Sequence, residues 1–555
     1  MDQLRLVIAV ILSTIILFCW QYFFMPTEQS YNQINAITDS NNRIAIESEE
    51  ALDTAHALKD HDEVLTNEFS ESLRIPITNN YLKGSINLAG AKLDDLVLLH
   101  YEQNLKDNKK VILLSPQKTE KSYFAEFGWL SSNNKFDLPN NKTIWKVDSS
   151  TNNADDVNLF WINSQGVKFH LRFKLDDDYL FEITQRIENL SHQEIVAYPY
   201  ASISRSYGQD ESNSMVHEGA LAVFDDKLFE FSFSDLDKET VEKKQQKGWL
   251  GFSDKYWLVS ILPDSNISFN AKFSGSDNKY QSDILKNKII VTPGQTLSDS
   301  TRFFAGAKNI DLLHKYQTKY NISLLDRAVD FGFLYFITKP IFLLLNYFYK
   351  VVGNFGIAIL LMTIFIKALL FPLAYKGFVS MNRLKELQPQ LAITKERFGA
   401  DAVAFQKAVI DLYKKEKVNP MSGCLPLLLQ MPIFFALYKV LSVTIEMRHA
   451  KFFGWLKDLS VQDPTTIFNL FGLLPWSVPS FLMIGVLPIL MAITMHIQQS
   501  LNPAPTDPTQ AQVMKYLPLI FLFVFASFPS GLVLYWTWSN ILSIIQQIII
   551  KRIAR

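Results

Sequence analysis

The chain has 555 residues, of which 48% are hydrophobic, and a formal net charge of −1 at pH 7. The balanced charge argues against nucleic-acid binding through bulk positive charge, and the hydrophobic content argues against a disordered chain. Apolar residues concentrate in the first two dozen positions and after Ile341, which indicates a polar domain between membrane segments.

The amino-terminal segment Leu6–Phe24 is almost entirely apolar and follows Arg5. It is longer than the apolar part of a usual signal peptide and ends in aromatic residues suited to a membrane interface. We therefore predict an uncleaved first transmembrane helix over residues 1–24, a cleaved signal peptide being the alternative. The polar stretch 25–62 has little periodicity and is predicted to be a flexible linker.

A β-rich domain is predicted over residues 63–320. In Val167–Leu175, apolar residues alternate with Lys, His and Arg, which is the pattern of a half-buried strand. Three aspartates then form a turn, and the alternation resumes at Tyr179, Phe181 and Ile183, so the two segments predict a hairpin. Similar short strands recur along this region, and together they favour an antiparallel β-sandwich. The two cysteines, Cys19 and Cys424, lie in or beside apolar segments and cannot supply a disulfide framework for this domain.

An amphipathic helix region along the membrane surface is predicted over 321–352, with Leu324, Leu325, Ala328 and Phe331 on one face. The apolar stretch from Ile341 to Leu373 would measure about 50 Å as one helix, against a hydrocarbon core of about 30 Å. A break at residues 353–356 is therefore expected, followed by a spanning helix at 357–374.

Four more apolar spans follow, which gives six in all, five of them in a membrane core at 353–551. They lie at roughly 424–443, 481–499, 516–528 and 532–550. The loop 376–419 is rich in lysine and arginine, and so is the short tail 552–555, which places both on the cytoplasmic side by the positive-inside rule. The amino terminus is then cytoplasmic as well, and the β domain lies on the opposite side of the membrane.

Lys367 is the one charged residue within the predicted second span. A charge inside a span is costly and usually faces protein or water. Lys367 also lies only about 10 Å from the cytoplasmic end of its helix, so it could instead extend its long side chain to the interface. Thr363, Gln430, Thr537, Ser539 and Asn540 add polar groups that could line a hydrated groove or could each satisfy a helix–helix hydrogen bond.

Two further features have open alternatives. Span five, Leu517–Phe528, would be only about 18 Å long, which suggests a thin bilayer, unless Met514 and Lys515 extend the helix.

The loop 376–419 is predicted to form a hairpin of two amphipathic helices that is broken at Gly399. Its basic surface could bind ribosomes, targeting factors or anionic lipid, or could be a solvated face.

No phosphate loop, dinucleotide fingerprint, zincin motif or nucleophile elbow occurs in the sequence. His217-Glu218 lacks the second histidine of a metal-binding helix. The sequence therefore predicts no catalytic residue, no metal, no cofactor and no enzymatic activity.

The carboxyl-terminal third closely resembles the YidC family, which is related to the mitochondrial oxidase-assembly insertases and their chloroplast counterparts. The resemblance is carried by the stretches KELQP (385–389), YKKEKVNP (413–420), GCLPLLLQMPIF (423–434) and FPSGLVLYW (528–536). The β domain matches more loosely, through Gly248–Leu250 and Tyr256–Trp257.

The resemblance implies a polytopic inner-membrane insertase and chaperone with a periplasmic β-sandwich and a cytoplasmic helical hairpin. It implies an open hydrophilic groove whose basic residue, usually arginine, is lysine here. Lysine keeps the charge but loses the bidentate donor geometry of arginine. The groove positions are Lys367, Thr363, Gln430 and Trp536; the candidate substrate contacts are Phe434 and Tyr535; and the basic hairpin residues are Lys385, Arg397, Lys414, Lys415 and Lys417.

The implied partners are newly made membrane proteins, membrane lipids, the Sec translocon with its accessory subunits, and ribosomes or targeting factors, with no recognition of nucleic-acid sequence. Two departures from the family pattern are a short tail and an enlarged loop at Phe468–Ile484. A transporter of a small anion, with Lys367 as its site, is an alternative function, although the chain has no internal repeat. The size of the sandwich also suggests a third class, a sugar-binding or sugar-modifying domain on a membrane anchor.

Overall fold

The structure, a computed structural model, describes residues 60–553 apart from short gaps at 71–72, 106, 133–135, 149–152, 208–215, 265–266, 333, 399–400, 417–424, 473, 475, 477, 480–482 and 503–507. The predicted first transmembrane helix and almost all of the predicted linker lie outside the described residues. The chain divides into two compact units, Met1–Val329 and Asp330–Arg555, and each is described by itself.

The first unit begins with helix α1, His61–Ser70, and continues as an antiparallel β-structure that also contains the short helix α2, Phe233–Leu236, and the helix α3, Ile310–Tyr320. The strands, in chain order, are β1 Arg74–Thr78, β2 Leu82–Asn87, β3 Lys92–Glu102, β4 Lys110–Leu114, β5 Tyr123–Leu130, β6 Lys146–Val147, β7 Asp156–Ile162, β8 Val167–Leu175, β9 Leu180–Asn189, β10 Ile195–Ser206, β11 Gly219–Phe224, β12 Lys227–Ser232, β13 Val241–Gln245, β14 Gly248–Ser253, β15 Trp257–Leu262, β16 Phe269–Ser276, β17 Lys279–Lys286, β18 Ile289–Val291 and β19 Thr296–Ala307.

These strands form two sheets. One has the order β1-β2-β3-β5-β10-β17-β16-β13, with β4 beside β3 and β18 beside β10. The other has the order β12-β11-β14-β15-β19-β9-β8-β7-β6. The predicted hairpin is confirmed, because β8 pairs with β9 in antiparallel register from Val167 opposite Asn189 to Leu175 opposite Phe181.

The core of the sandwich lies between the two sheets and is rich in aromatic side chains. Phe127 of the first sheet packs edge-on against Phe173 and Phe303 of the second, with ring centroids 5.9 and 5.6 Å apart. The ring centroid of Trp129 lies 5.2 Å from that of Phe169, with the two ring planes tilted by 57°. Such pairs add attraction beyond the burial of their area, so they fix the spacing of the two sheets.

The second unit is helical. Its described helices are α4 Tyr335–Val352, α5 Phe355–Leu369, α6 Phe371–Glu386, α7 Gln388–Phe398, α8 Ala402–Lys415, α9 Leu425–Val443, α10 Val486–Ser500, α11 Pro508–Ala526 and α12 Ser530–Ile553. The expected break after α4 is present. Gly353 ends α4 with a φ of 69°, and the side chain of Asn354 caps α5 by accepting a hydrogen bond from the Ile357 amide.

Within the predicted amphipathic region 321–352, the helix begins later than the sequence pattern suggested. Leu324 and Gly332 have φ angles of 53° and 67°, and only a 3₁₀ turn, Leu325–Ala328, forms between them. A left-handed residue at each end of the apolar face prevents a continuous α-helix there. The amphipathic helix is therefore α4.

Two predicted spans also differ from the structure. The segment predicted as one helix over 357–374 is divided, because α5 ends at Leu369 and α6 begins at Phe371 with a bend of 66°. Pro372 lies in the first turn of α6, where its missing N–H costs nothing. The short form of span five, Leu517–Phe528, is wrong, and the alternative that Met514 and Lys515 extend the helix is confirmed, because α11 begins at Pro508 and includes both residues. Its 19 residues would measure about 28 Å.

By length and hydropathy, α12 is long and apolar enough to cross a membrane, and α5 and α6 together could form a second, bent crossing. The apolar parts of α9 and α11, Gln430–Val443 and Ala511–Ala526, are shorter. These helices belong to the described residues alone, and the number of six spans stays a prediction.

Candidate functional site

A polar cluster joins three helices of the second unit around Lys367. The Lys367 Nζ donates hydrogen bonds to Ser543 Oγ of α12 at 2.8 Å and to Gln430 Oε1 of α9 at 3.3 Å. The amide of Gln430 in turn donates from Nε2 to Ser539 Oγ at 2.7 Å. We call Lys367, Gln430, Ser539 and Ser543 the Lys367 cluster. It shows that the lysine side chain points toward the neighbouring helices, not away from the bundle.

The charge of Lys367 is held by neutral groups. Within the part of the chain that the structure describes, its hydrogen-bond acceptors are a hydroxyl and an amide oxygen, and no ion pair forms with it. A lysine ammonium has three N–H donors, so two acceptors leave one donor direction for a further partner. The side chain is half-buried. The cluster therefore holds a positive charge that no carboxylate of the described residues pairs with.

Ser543 is a member of the cluster that the sequence analysis missed. It lies four residues after Ser539 on α12, so both hydroxyls fall on the same face of the helix. On that face, Gln546 donates from Nε2 to the main-chain oxygen of Lys367 at 3.3 Å. The i, i+4 spacing of the two serines within an apolar helix was the available signal.

Thr363 and Trp536 were predicted in the groove, but neither is hydrogen-bonded to Lys367. The hydroxyl of Thr363 is buried and donates to Ile359 O of its own helix at 2.6 Å. Trp536 is buried, and its Nε1 has no hydrogen-bond partner among the described residues. The structure therefore brings together two of the four predicted groove residues, Lys367 and Gln430, through hydrogen bonds.

Trp536 instead belongs to an aromatic cluster at the turn between α11 and α12. Its ring lies 4.9 Å from that of Phe434, nearly perpendicular to it, and 5.4 Å from that of Phe525. Phe521 and Phe528 complete this aromatic cluster. Of the two candidate substrate contacts, Phe434 is part of it and Tyr535 lies outside both clusters; both side chains are buried.

The adjacent face of α12 is tied to α10 by a second set of polar contacts. Asn540 donates from Nδ2 to Thr494 Oγ1 at 3.2 Å, and Gln547 donates from Nε2 to Asn502 Oδ1 at 3.1 Å. Thr494 itself donates to Met491 O. These are satisfied helix–helix hydrogen bonds, which is the structural role that was left open for Asn540.

The basic residues of the helical hairpin lie on exposed positions of three helices. Lys385 is on α6, Arg397 on α7, and Lys414 and Lys415 on α8, and all four are exposed. Lys417 lies outside the described residues. The helices α7 and α8 lie on either side of the expected break at Gly399, which is outside the described residues, and the side chain of Asp401 caps α8 by accepting from the amides of Val403 and Ala404. The first helix expected for the hairpin is divided, because Leu384 lies on α6 and Leu391 on α7.

The described residues contain no group of three His, Cys, Asp or Glu side chains that could hold a metal ion. Among the described residues, the side chains that are hydrogen-bonded to Lys367 are a serine hydroxyl and a glutamine amide, and neither is a carboxylate, a thiol or an imidazole. The Lys367 cluster can attract and orient a polar group, and it contains no partner for proton transfer or nucleophilic attack.

Comparison with known proteins shows the family to which the chain is similar. The family model described as "60Kd inner membrane protein" matches residues 347–555, and the one described as "YidC periplasmic domain" matches residues 74–344. A protein of Rickettsia bellii named "Membrane protein insertase YidC" is 47% identical over 561 residues, 99% of either chain. A protein of Rickettsia massiliae with the same name is 46% identical over 558 residues, again 99% of each chain. A crystal structure described as an active YidC insertase with its first transmembrane domain resolved is 19% identical, covers 88% of this chain and 97% of its own, and has a TM-score of 0.36.

Proposed function

The chain belongs to the YidC family of membrane protein insertases, and we propose that its Lys367 cluster receives the polar segment of each membrane protein that it inserts. It is an inner-membrane protein with a periplasmic β-sandwich, its clients are membrane proteins, and its activity is insertion, not an enzymatic reaction. This membership decides against the small-anion transporter.

The observation that carries the proposal is the neutral environment of the Lys367 charge. A polar segment that crosses hydrocarbon loses its hydrogen bonds to water, at a cost of several kcal/mol for each unsatisfied group. An ammonium with a free donor direction offers a charge-assisted hydrogen bond, which is stronger than a neutral one. Because Ser543 and Gln430 are neutral, no internal carboxylate has to be displaced first.

The rest of the groove has different roles in this proposal. Thr363 and Trp536 form buried walls beside the cluster, and the apolar part of a client leaves along lipid-facing helices. Phe434 and Tyr535 remain candidate client contacts. Both are buried, so a client reaches them only when neighbouring side chains move aside.

The proposed topology has six transmembrane helices with both termini and the helical hairpin in the cytoplasm. In support, the exposed basic side chains of the hairpin and the basic residues Lys551 and Arg552 at the end of α12 would lie on the same side. We further propose that Lys385, Arg397, Lys414, Lys415 and Lys417 help to recruit ribosomes or targeting factors, and that the chain also works with the Sec translocon.

The proposal is tested with purified chain in lipid vesicles and a single-span test protein whose translocated segment is acidic. Lys367→Glu should abolish insertion, because the site then repels that segment. Lys367→Arg is the matched control and should insert at nearly the normal rate, since it keeps the charge. A test protein with a basic translocated segment should be inserted better by Lys367→Glu than by the parent chain. Unchanged insertion by Lys367→Glu would remove the electrostatic step.

A further inference from the structure

The segment between α9 and α10 exposes large apolar side chains that no described residue of the second unit covers. The exposed side chains include Phe453, Trp455, Ile467, Phe468, Phe471 and Trp476, each between 42% and 60% exposed. We call these six residues the loop surface. Four of them come from residues 467–476, within or next to the enlarged loop. Soluble surfaces seldom expose so many large apolar residues in one short segment, so the loop surface indicates contact with an apolar partner.

The base of this loop is fixed to the start of α10. Asp463 is buried, and its Oδ2 accepts a hydrogen bond from the Leu487 amide at 2.9 Å. Thr465 Oγ1 accepts from the Val486 amide at 3.0 Å. These bonds join positions more than 20 residues apart, so the two ends of the loop between Thr466 and Gly485 are held next to each other.

The tip of the loop has a defined fold in its described residues. The Phe471 amide donates to Thr466 O at 2.8 Å, and the indole of Trp476 donates to Phe468 O at 3.0 Å. Leu470 and Phe471 have φ angles of 50° and 60°. Left-handed backbone is strained for bulky residues, and here both side chains in it are exposed.

In this segment the acidic side chains are buried and the lysine side chains are exposed. Between residues 450 and 479, the carboxylates are Asp458 and Asp463, and both are buried. Lys451 and Lys457 are exposed. The outer surface therefore combines aromatic and aliphatic side chains with positive charge and shows no exposed carboxylate. That combination suits the interface of a membrane with anionic lipids, where tryptophan sits at the headgroup level and lysine reaches phosphate.

The position of the loop in the chain agrees with this partner. It joins α9 to α10 on the far side from the cytoplasmic hairpin, so in the proposed topology it emerges at the periplasmic surface next to two spans. We propose that the loop surface inserts into the headgroup region of the outer leaflet and anchors the α9–α10 connection there. This inference depends on the proposed orientation of the spans and is independent of the Lys367 cluster.

The experiment places a fluorophore on the loop of the full chain. Cys19 and Cys424 are changed to serine, and a single cysteine is introduced as Phe468→Cys or Trp476→Cys and labelled with an environment-sensitive dye. The matched control is Leu190→Cys, an exposed apolar position in the turn after β9. Each labelled chain is reconstituted alone in vesicles of phosphatidylethanolamine and phosphatidylglycerol, with or without brominated acyl chains, and its insertion of the test protein verifies the native fold.

We expect brominated lipid to reduce the emission at positions 468 and 476 at least about twofold, with a shift to shorter wavelength, because a side chain in the interface lies close to the acyl chains. The dye at position 190 should change little. Emission at 468 and 476 like that of the control would overturn the proposal. It would also be overturned if the loop dyes became protected only after the Sec translocon was added, since the loop surface would then bind protein. No client is needed for this readout, so failure here leaves the Lys367 proposal untouched.

Discussion

Lys367 on α5 donates a hydrogen bond to Ser543 on α12 across 2.8 Å, and this bond joins residues 176 positions apart in the sequence. The serine hydroxyl fixes where the ammonium lies between the helices, and Gln430 supplies the second acceptor. Lysine has a flexible stem and no rigid donor fork, so its position depends on these acceptors more than that of an arginine would.

Ser543→Ala should therefore slow insertion although it leaves the charge in place. A hydrogen bond to a charged group contributes roughly 1.5–3 kcal/mol, and losing part of it should lower the insertion rate roughly threefold to tenfold. Ser543→Thr keeps the hydroxyl and serves as the control, with a rate close to that of the parent chain. The measurement is insertion of the acidic test protein into vesicles. Equal rates for the alanine and threonine variants would show that Ser543 does not position Lys367.

In the β-sandwich, the buried carboxyl of Asp283 on β17 should make the free energy of unfolding depend on pH. The carboxyl is 2% exposed, and burial raises its pKa to about 7, although hydrogen bonds from Ser202 and Gln281 oppose the rise. The folded state then binds a proton that the unfolded chain releases near pH 4, so stability falls as the pH rises from about 4 to about 7. Above pH 7 the buried carboxylate is charged, at a cost on the order of a few kcal/mol.

Asp283→Asn removes this titration. We expect the variant to match the parent chain at pH 5 and to be more stable at pH 8, because the amide never ionises. Hydrogen–deuterium exchange of β17 peptides in the full chain measures the difference. Asp277→Asn, at the exposed turn before the same strand, is the control and should behave like the parent at both pH values. An unchanged exchange rate for Asp283→Asn at pH 8 contradicts the prediction.

Arg74 of β1 forms a buried ion pair with Asp94 within the first sheet and also bonds to Glu68 of α1. The guanidinium of Arg74 is fully buried and forms a bidentate pair with Asp94, with distances of 2.8 and 3.0 Å, while its Nε donates to Glu68 of α1 at 2.7 Å. Arg74→Met leaves Asp94 buried without its partner, which should destabilise the domain by about 3–5 kcal/mol.

The double variant Arg74→Met with Asp94→Leu should recover a large part of that loss, since no unpaired charge remains. Thermal unfolding of the full chain in detergent, followed by near-ultraviolet circular dichroism, compares the three proteins. A double variant that is less stable than the single variant would show that the ion pair itself supplies the stability.

Sequence patterns predicted what depends on local periodicity. The strand Val167–Leu175 was readable because one of its faces is buried and the other is not, which produces strict alternation. The break at Gly353 was readable because only glycine adopts its conformation without cost. In contrast, Leu324–Phe331 has a helical spacing of apolar residues but forms no α-helix, because φ at Leu324 is positive. Leucine rarely adopts a positive φ, so the sequence gives no signal for this conformation.

Contacts between distant residues could not be predicted in this way. Arg74 of β1 pairs with Asp94 of β3, and Lys367 of α5 donates a hydrogen bond to Ser543 of α12. The sequence identified Lys367 because a charge inside an apolar span is conspicuous. Its partners are neutral and ordinary in composition, so only the packing of α5, α9 and α12 reveals them. Pro372 was a visible signal for the bend after α5, since proline in the first turn favours a new helix start.

The capping of α10 by Asp463 gives a last prediction. Asp463 Oδ2 accepts from the Leu487 amide at the start of the helix, and Oδ1 accepts from the amide and hydroxyl of Thr465 at 3.0 and 2.6 Å. A carboxylate at this end of a helix satisfies free amides and interacts favourably with the helix dipole. Asp463→Ala should therefore destabilise the first turn of α10 by about 1–2 kcal/mol.

Faster hydrogen–deuterium exchange in the first turn of α10, with unchanged exchange at its carboxyl-terminal end, would be the expected signature in Asp463→Ala. Asp463→Asn keeps an acceptor and loses the charge, so its exchange should be intermediate. Because Asp463 also holds the base of the enlarged loop, the alanine variant should weaken the lipid quenching of a dye at position 468. If exchange in α10 rises while that quenching stays the same, the loop keeps its place at the membrane through its apolar residues and not through its attachment to α10.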